Sequence, residues 1–110
     1  MAIKANIVID QGADFSALID VADVDGNTYS LNGHTASSQM RKSYYSTTFF
    51  SFTTSVNAIA GQVSLNMDNA TTAAIEPGRY VYDVEITSPE NVTTRVVEGI
   101  VTVTPGITRI

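Results

Sequence analysis

The sequence contains no cysteine and no tryptophan, and its single histidine is His34. Without cysteine there is neither a disulfide nor a thiolate metal site, so packing alone must stabilise the fold. Zinc sites need several histidine or cysteine ligands, which this composition excludes. His34 lies in a turn-like segment with no neighbouring carboxylate, so it offers no general base for a nucleophilic triad. We therefore expect a protein that is not an enzyme and needs no cofactor.

Basic residues are also scarce, because six lysines and arginines face eleven aspartates and glutamates, giving a net charge of -5. Proteins that hold nucleic acid or anionic lipid by neutralising phosphates carry the opposite balance. No basic residue lies between Lys4 and Arg41, where the chain has five acidic residues: Asp10, Asp14, Asp20, Asp23 and Asp25. We expect an electronegative end of the fold, and neither nucleic acid nor membrane as a partner.

Long apolar runs are missing as well. No stretch approaches the roughly 18 apolar residues of a membrane span, and the N-terminus lacks the apolar core of a signal peptide. The chain is therefore expected to be synthesised and folded in the cytoplasm. Its 110 residues, of which 44% are hydrophobic and 15% charged, predict one folded domain covering residues 1–110.

Short segments rich in Val, Ile, Thr, Tyr and Phe dominate the sequence, and they alternate with a period of two. The predicted strands cover residues 5–10, 14–22, 29–31, 36–45, 48–54, 61–67, 79–87 and 92–103, with Met40 as a core anchor of its strand. Residues 68–75 break the alternation and predict a short helix that ends before Pro77. The adjacent Val96 and Val97 predict a β-bulge, which we place near Gly99.

This pattern predicts an all-β fold, an antiparallel two-sheet sandwich of immunoglobulin-like type with one short helical turn. A closed barrel is the alternative. The segment around Tyr80 favours the sandwich, because a tyrosine after a helical turn and a Pro77-Gly78 corner is the layout of the immunoglobulin tyrosine corner. We expect the Tyr80 hydroxyl to bond a backbone group in the turn formed by residues 72–76.

The loop after the second strand is the candidate for a cation site. Asp20, Asp23, Asp25 and Asn27 supply oxygen ligands around a glycine, as calcium loops do. The EF-hand spacing and its terminal glutamate are missing, however, and Asp25-Gly26-Asn27 is typical of a hairpin turn. The turn is the preferred interpretation, and calcium stays as the alternative.

Four residues are candidates for an interface. Arg41 lies in the only basic and aromatic cluster, and we expect it to pair with a carboxylate across a sheet or a subunit interface rather than with nucleic acid or sugar. Phe49, Phe50 and Phe52 place aromatic rings on both faces of one strand, so one face is expected to lie outside the core unless a loop covers it.

Asp83 and Glu85 alternate toward solvent and are expected to form a charged outer face instead of a catalytic pair.

Several motifs resemble small virion proteins of tailed bacteriophages, of the T-even-like type found in phages of marine cyanobacteria. They are Asp10-Gln11-Gly12 before Phe15, the segment 31–44, the segment 69–75 with Pro77-Gly78-Arg79-Tyr80-Val81-Tyr82-Asp83, and the closing residues 97–103 with Pro105 and Thr108-Arg109. The resemblance covers nearly the whole chain. Similar sandwich domains form the amino-terminal part of some baseplate components.

The resemblance implies a structural or adaptor role in the tail, neck or baseplate, with other virion proteins as partners and assembly as a homo-oligomer or ring. It implies localisation in the virion and supplies no catalytic residue. A carbohydrate- or calcium-binding sandwich module, using residues 20–27 and exposed aromatic side chains, is the alternative function.

Overall fold

The period-two alternation produces strands along most of the chain. A computed structural model describes residues 3–21 and 31–106. Within these two ranges, nine strands and one helix follow in chain order: β1 (Ile3–Lys4), β2 (Ile7–Asp10), β3 (Phe15–Asp20), β4 (Thr35–Arg41), β5 (Phe49–Ser51), β6 (Thr53–Asn57), β7 (Gln62–Met67), α1 (Asn69–Ala73), β8 (Gly78–Thr87) and β9 (Thr93–Thr104). The predicted turn at residues 24–28 and the predicted strand residue Tyr29 lie outside the described residues.

The strands form two sheets, so the fold is all-β and two-layered, as predicted. The large sheet has the order β1-β9-β8-β4-β5, with β2 also paired to β9, and the small sheet has the order β3-β7-β6. Most pairings are antiparallel, but β1 and β2 run parallel to β9. The N-terminal edge therefore makes the large sheet mixed, whereas the sequence predicted an antiparallel one.

The core lies between the two sheets and takes alternate residues from each strand. Along β8 the side chains of Tyr80, Tyr82, Val84 and Ile86 are buried, and Met40 of β4 is fully buried, as the alternation predicts. On the small sheet, Val63, Leu65 and Met67 of β7 fill the opposite side of the core. Burial of these apolar side chains is the main stabilising contribution in a chain without disulfides.

The helix α1 forms where the alternation stops. The Asp68 carboxylate caps it by accepting the Thr71 N–H at 2.9 Å, and hydrogen bonding from the Thr71 side chain and from this N–H lowers the pKa of Asp68. Thr72 is fully buried; its hydroxyl donates to the Ala13 carbonyl at 2.8 Å and accepts the Gly12 N–H at 3.1 Å. The predicted helix is confirmed, and it ties the β2–β3 connection to the start of β8.

The Tyr80 hydroxyl donates to the Glu76 carbonyl at 2.7 Å, the bond expected of a tyrosine corner. Burial, assisted by the charge of Glu76, raises the pKa of Tyr80. The hydroxyl thus satisfies a backbone acceptor in the turn that leads into β8. This bond stabilises the corner at which the chain leaves the helix and enters the centre of the large sheet.

Two predictions about strand detail are wrong. The strand predicted over residues 36–45 ends at Arg41, and residues 42–48 form a loop. The bulge lies at Val96 rather than near Gly99, because Val84 pairs with Val97 whereas Glu85 pairs with Arg95. Position 99 requires glycine for another reason. A Cβ there would lie 2.1 Å from the Ala5 carbonyl oxygen, so the N-terminal strand approaches too closely for any side chain.

Candidate functional site

The hairpin between β4 and β5 presents the most exposed aromatic side chains of the described residues. Tyr45 is 95% exposed, Tyr44 72% and Phe49 45%. Tyr44 and Tyr45 lie in the connecting loop, and Phe49 begins β5. Together with Arg41 they are called the aromatic hairpin here. Large exposed aromatic side chains concentrated in one segment are typical of interaction surfaces in proteins generally.

Arg41 organises this hairpin from the end of β4. Its guanidinium lies 4.8 Å from the centroid of the Phe49 ring, a cation–π distance. The same group donates to the Ser46 carbonyl at 2.6 Å and to Gln39 Oε1 at 2.9 Å. Within the described part of the chain, Arg41 therefore bonds neutral acceptors instead of the carboxylate that the sequence predicted. Arg41 holds the loop and the Phe49 ring in one arrangement.

The outer face of the large sheet carries a cleft of about 230 Å³ beside the hairpin. Its floor is polar, because Asp83 and Glu85 of β8 point outward as predicted. Arg95 pairs with Asp83 at 3.1 Å and with Glu98 at 3.3 Å. The charge of Asp83 is the main reason why the pKa of Arg95 is raised. Asp83 therefore forms an ion pair with Arg95 on a charged outer face of the sheet.

The three phenylalanines divide between the two faces of their strand. Phe49 faces outward, whereas Phe50 is half-buried against the core. Phe52 is only 5% exposed, and its ring centroid lies 5.8 Å from that of Phe15 and 6.2 Å from that of Tyr82. The prediction of Phe52 as an interface residue is wrong, because the chain passes from the large to the small sheet at this position and turns the ring into the core.

Of the proposed calcium ligands, only Asp20 lies in the described part of the chain; Asp23, Asp25 and Asn27 lie outside it. The Asp20 carboxylate is exposed at the end of β3 and accepts the Gln62 side-chain amide at 2.9 Å. No group of three metal-ligating side chains occurs among residues 3–21 and 31–106. The calcium hypothesis stays a prediction.

His34 lies in the loop before β4, and its Nδ1 is 3.1 Å from the Asn32 carbonyl oxygen. Among residues 3–21 and 31–106, no helix has the length and hydrophobicity that a membrane crossing requires.

Sequence reasoning missed two parts of this surface. Tyr44 and Tyr45 were assigned to a strand, although the Ser43-Tyr44-Tyr45-Ser46-Thr47-Thr48 run lacks the alternating apolar residues that would extend it. The ion pairs of Arg95 were missed because they depend on the register of β8 and β9, and the bulge at Val96 sets that register. A bulge placed at the adjacent valines would have brought Arg95 and Asp83 onto the same face.

Comparison with known proteins identifies the fold but not a family. No protein-family model matches the chain, and no curated protein matches it in sequence. Among solved structures, it is similar to an internalin-like protein of Listeria monocytogenes, with a TM-score of 0.50 and 15% sequence identity over 94% of this chain. The match covers 28% of the Listeria chain. At this identity the likeness shows a shared fold alone.

Proposed function

We propose that this protein is a non-catalytic assembly module of a tailed-phage particle, which acts through protein–protein contacts made by the aromatic hairpin. The supporting observation is the exposure of Tyr44, Tyr45 and Phe49 in one hairpin whose geometry Arg41 fixes. Interfaces are enriched in tyrosine, phenylalanine and arginine, and rigid aromatic side chains lose little conformational entropy on binding. The resemblance to small virion proteins supports the same role.

A comparison with the rest of the surface strengthens this assignment. Ile59 is 94% exposed, but it stands alone in the β6–β7 turn. Single exposed apolar residues are ordinary on monomer surfaces, whereas several together have a function. Ile59 therefore provides a matched control for the aromatic hairpin.

Mass spectrometry of purified particles of the phage that encodes the chain tests the proposal. We expect the protein in mature particles, and we expect Tyr45→Ala to reduce its incorporation while Ile59→Ala does not. Both side chains are almost fully exposed, so neither change should affect folding of the free protein. Repeated absence from mature particles, or equal incorporation of the two variants, would contradict the proposal.

Saccharide binding is the second candidate, favoured by the cleft on the outer face of the large sheet. Tyr44 lines this cleft together with Gln39 and Glu85. An aromatic ring beside planar polar side chains suits a sugar, which presents an apolar face and a rim of hydroxyl groups. Binding on a glycan array that Tyr44→Ala and Glu85→Gln both abolish would favour this candidate over assembly.

A further inference from the structure

The charges around the aromatic hairpin restrict its partner. Arg41 and its neighbour Lys42 form no ion pair with the described residues, whereas Arg95 is already paired twice. Between Lys42 and Asp68 the sequence contains no charged residue. In a chain of net charge -5, this hairpin is therefore a basic and aromatic surface, and it fits an acidic receptor with apolar walls.

Such a receptor lies a few residues further along the same edge. A cleft of about 350 Å³ opens between the sheets where β5 continues into β6. Phe15 and Met67 supply its apolar wall, and Asp14 and Asp68 supply two carboxylates. The cap bonds from Thr71 lower the pKa of Asp68, so this carboxylate is charged at neutral pH. This feature is called the acidic cleft below.

The two surfaces are neighbours on one molecule, because Phe49 of the hairpin and Ser51 of the acidic cleft both belong to β5. In a dimer with a twofold axis, each copy supplies one hairpin and one acidic cleft. The same complementary contact is therefore made twice. We propose that the chain forms a twofold dimer in which the aromatic hairpin of each copy docks into the acidic cleft of the other. This rests on the proposed function, because it names a second copy of the chain as the hairpin's first partner.

Charge distribution favours a second copy in this orientation. Copies that each carry -5 repel one another over most of their surface, so a stable contact must bring basic groups against acidic ones. Lys42 is exposed, and its ammonium lies 4.8 Å from the centroid of the Tyr80 ring. Asp14 is exposed as well, and its carboxylate accepts the Asn69 N–H at 2.8 Å. A reciprocal contact buries the aromatic rings and uses both complementary pairs. It also closes, so that assembly stops at two copies.

Charge reversal tests the dimer directly. The masses of wild type, Lys42→Glu and Asp14→Lys are measured by sedimentation equilibrium over a range of concentrations. We expect wild type to dimerise and each single variant to weaken the dimer by at least about tenfold, because like charges then meet at both symmetric contacts. A mixture of the two variants, and the double variant, should dimerise again, because every hairpin then meets a cleft of opposite charge.

Matched controls separate this contact from a general effect of charge. Asp20→Lys makes the same change at the far end of β3, and Arg79→Glu reverses an exposed basic residue outside the hairpin. Neither should change dimerisation. Tyr45→Ala, which alters no charge and removes an almost fully exposed ring, should weaken the dimer without affecting thermal unfolding of the monomer.

A wild-type chain that stays monomeric at millimolar concentration would overturn the dimer, as would a dimer that the two reversals leave unchanged or fail to restore when mixed. These results are independent of the particle analysis. Presence in particles with a monomeric free chain contradicts only the dimer, whereas a dimeric chain absent from particles contradicts only the virion role.

Discussion

The two edges of the large sheet differ in whether their side chains bond to the rest of the protein. At the N-terminal edge, side chains bind the edge strand to the protein: the Tyr82 hydroxyl donates to the Ala5 carbonyl at 2.6 Å, and the Asn6 side chain accepts the Ile100 N–H at 3.0 Å. At the β4–β5 edge, the side chains of Tyr44 and Tyr45 are exposed to solvent. One edge is closed by its own residues, and the other exposes aromatic side chains.

The two edges also differ in how they are protected against pairing with other chains. Edge strands are prone to pair with other chains, and proteins limit this with charges, short strands or tight cover. The N-terminal edge has Lys4 and Asp10 and is fastened from within, whereas β5 is protected only by its length of three residues. If the bonds from Tyr82 and Asn6 are what distinguish the two edges, removing them should affect the N-terminal edge alone.

The largest effect is expected from Gly99→Ala. The new Cβ would lie 2.1 Å from the Ala5 carbonyl oxygen, so β1 and the start of β2 must move away. Overpacking together with loss of the Tyr82 bond should lower the free energy of unfolding by roughly 2–4 kcal/mol, measured in urea. Gly12→Ala is the control, because a Cβ there meets nothing within 4 Å and costs only the strain of φ +87°, about 1–2 kcal/mol. If both variants lose the same stability, the close approach at Gly99 is not what fastens the edge.

A smaller effect is expected from removing single hydroxyl groups. Tyr82→Phe and Tyr80→Phe each leave a backbone acceptor without its donor, and each should cost on the order of 1–3 kcal/mol. Only Tyr82→Phe should release the N-terminal edge, because the Tyr80 hydroxyl bonds Glu76 instead. Hydrogen exchange should therefore accelerate at Ile7–Asp10 in Tyr82→Phe alone. Equal acceleration in both variants would show that the edge responds to general loss of stability.

The smallest effect concerns alkaline pH. Burial raises the pKa of Tyr82 above its ordinary value. Because the folded-state pKa exceeds the unfolded one, the stability from the neutral hydroxyl is complete below about pH 10 and is lost as the pH rises through the folded-state pKa. Urea midpoints measured from neutral to strongly alkaline pH should decline less steeply in Tyr82→Phe than in wild type. Parallel curves would mean that Tyr82 does not contribute to the alkaline loss.

Local pattern was sufficient for much of the fold. Alternation alone indicates which face of β8 is buried, from Tyr80 to Ile86, since successive side chains of a strand point to opposite sides. The cap at Asp68 and the corner at Tyr80 were also predictable, because the bonds involved join residues three or four positions apart. These features depend on short-range geometry, which a sequence specifies directly.

The candidate site was predicted only in part. Arg41 and Phe49 were each predicted as interface candidates, and they lie opposite one another in the β4–β5 register. Tyr44 and Tyr45 belong to the basic and aromatic cluster that the sequence indicates, but their exposure in a loop was not predicted, because the strand was assigned as far as Tyr45. The burial of Phe52 depends on the passage of the chain from one sheet to the other between β5 and β6, for which the sequence has no local signal.

The sequence by itself therefore determined most of the strands and their inward faces, the helix and the absence of cysteine chemistry. The tertiary structure decided which strands pair, that β1 and β2 run parallel to β9, that the bulge falls at Val96, and which aromatic rings reach solvent. The physical reason is the range of the interactions. Periodicity and capping act between near neighbours, whereas pairing and burial are fixed by contacts such as Tyr82 with Ala5, which are 77 residues apart in the chain.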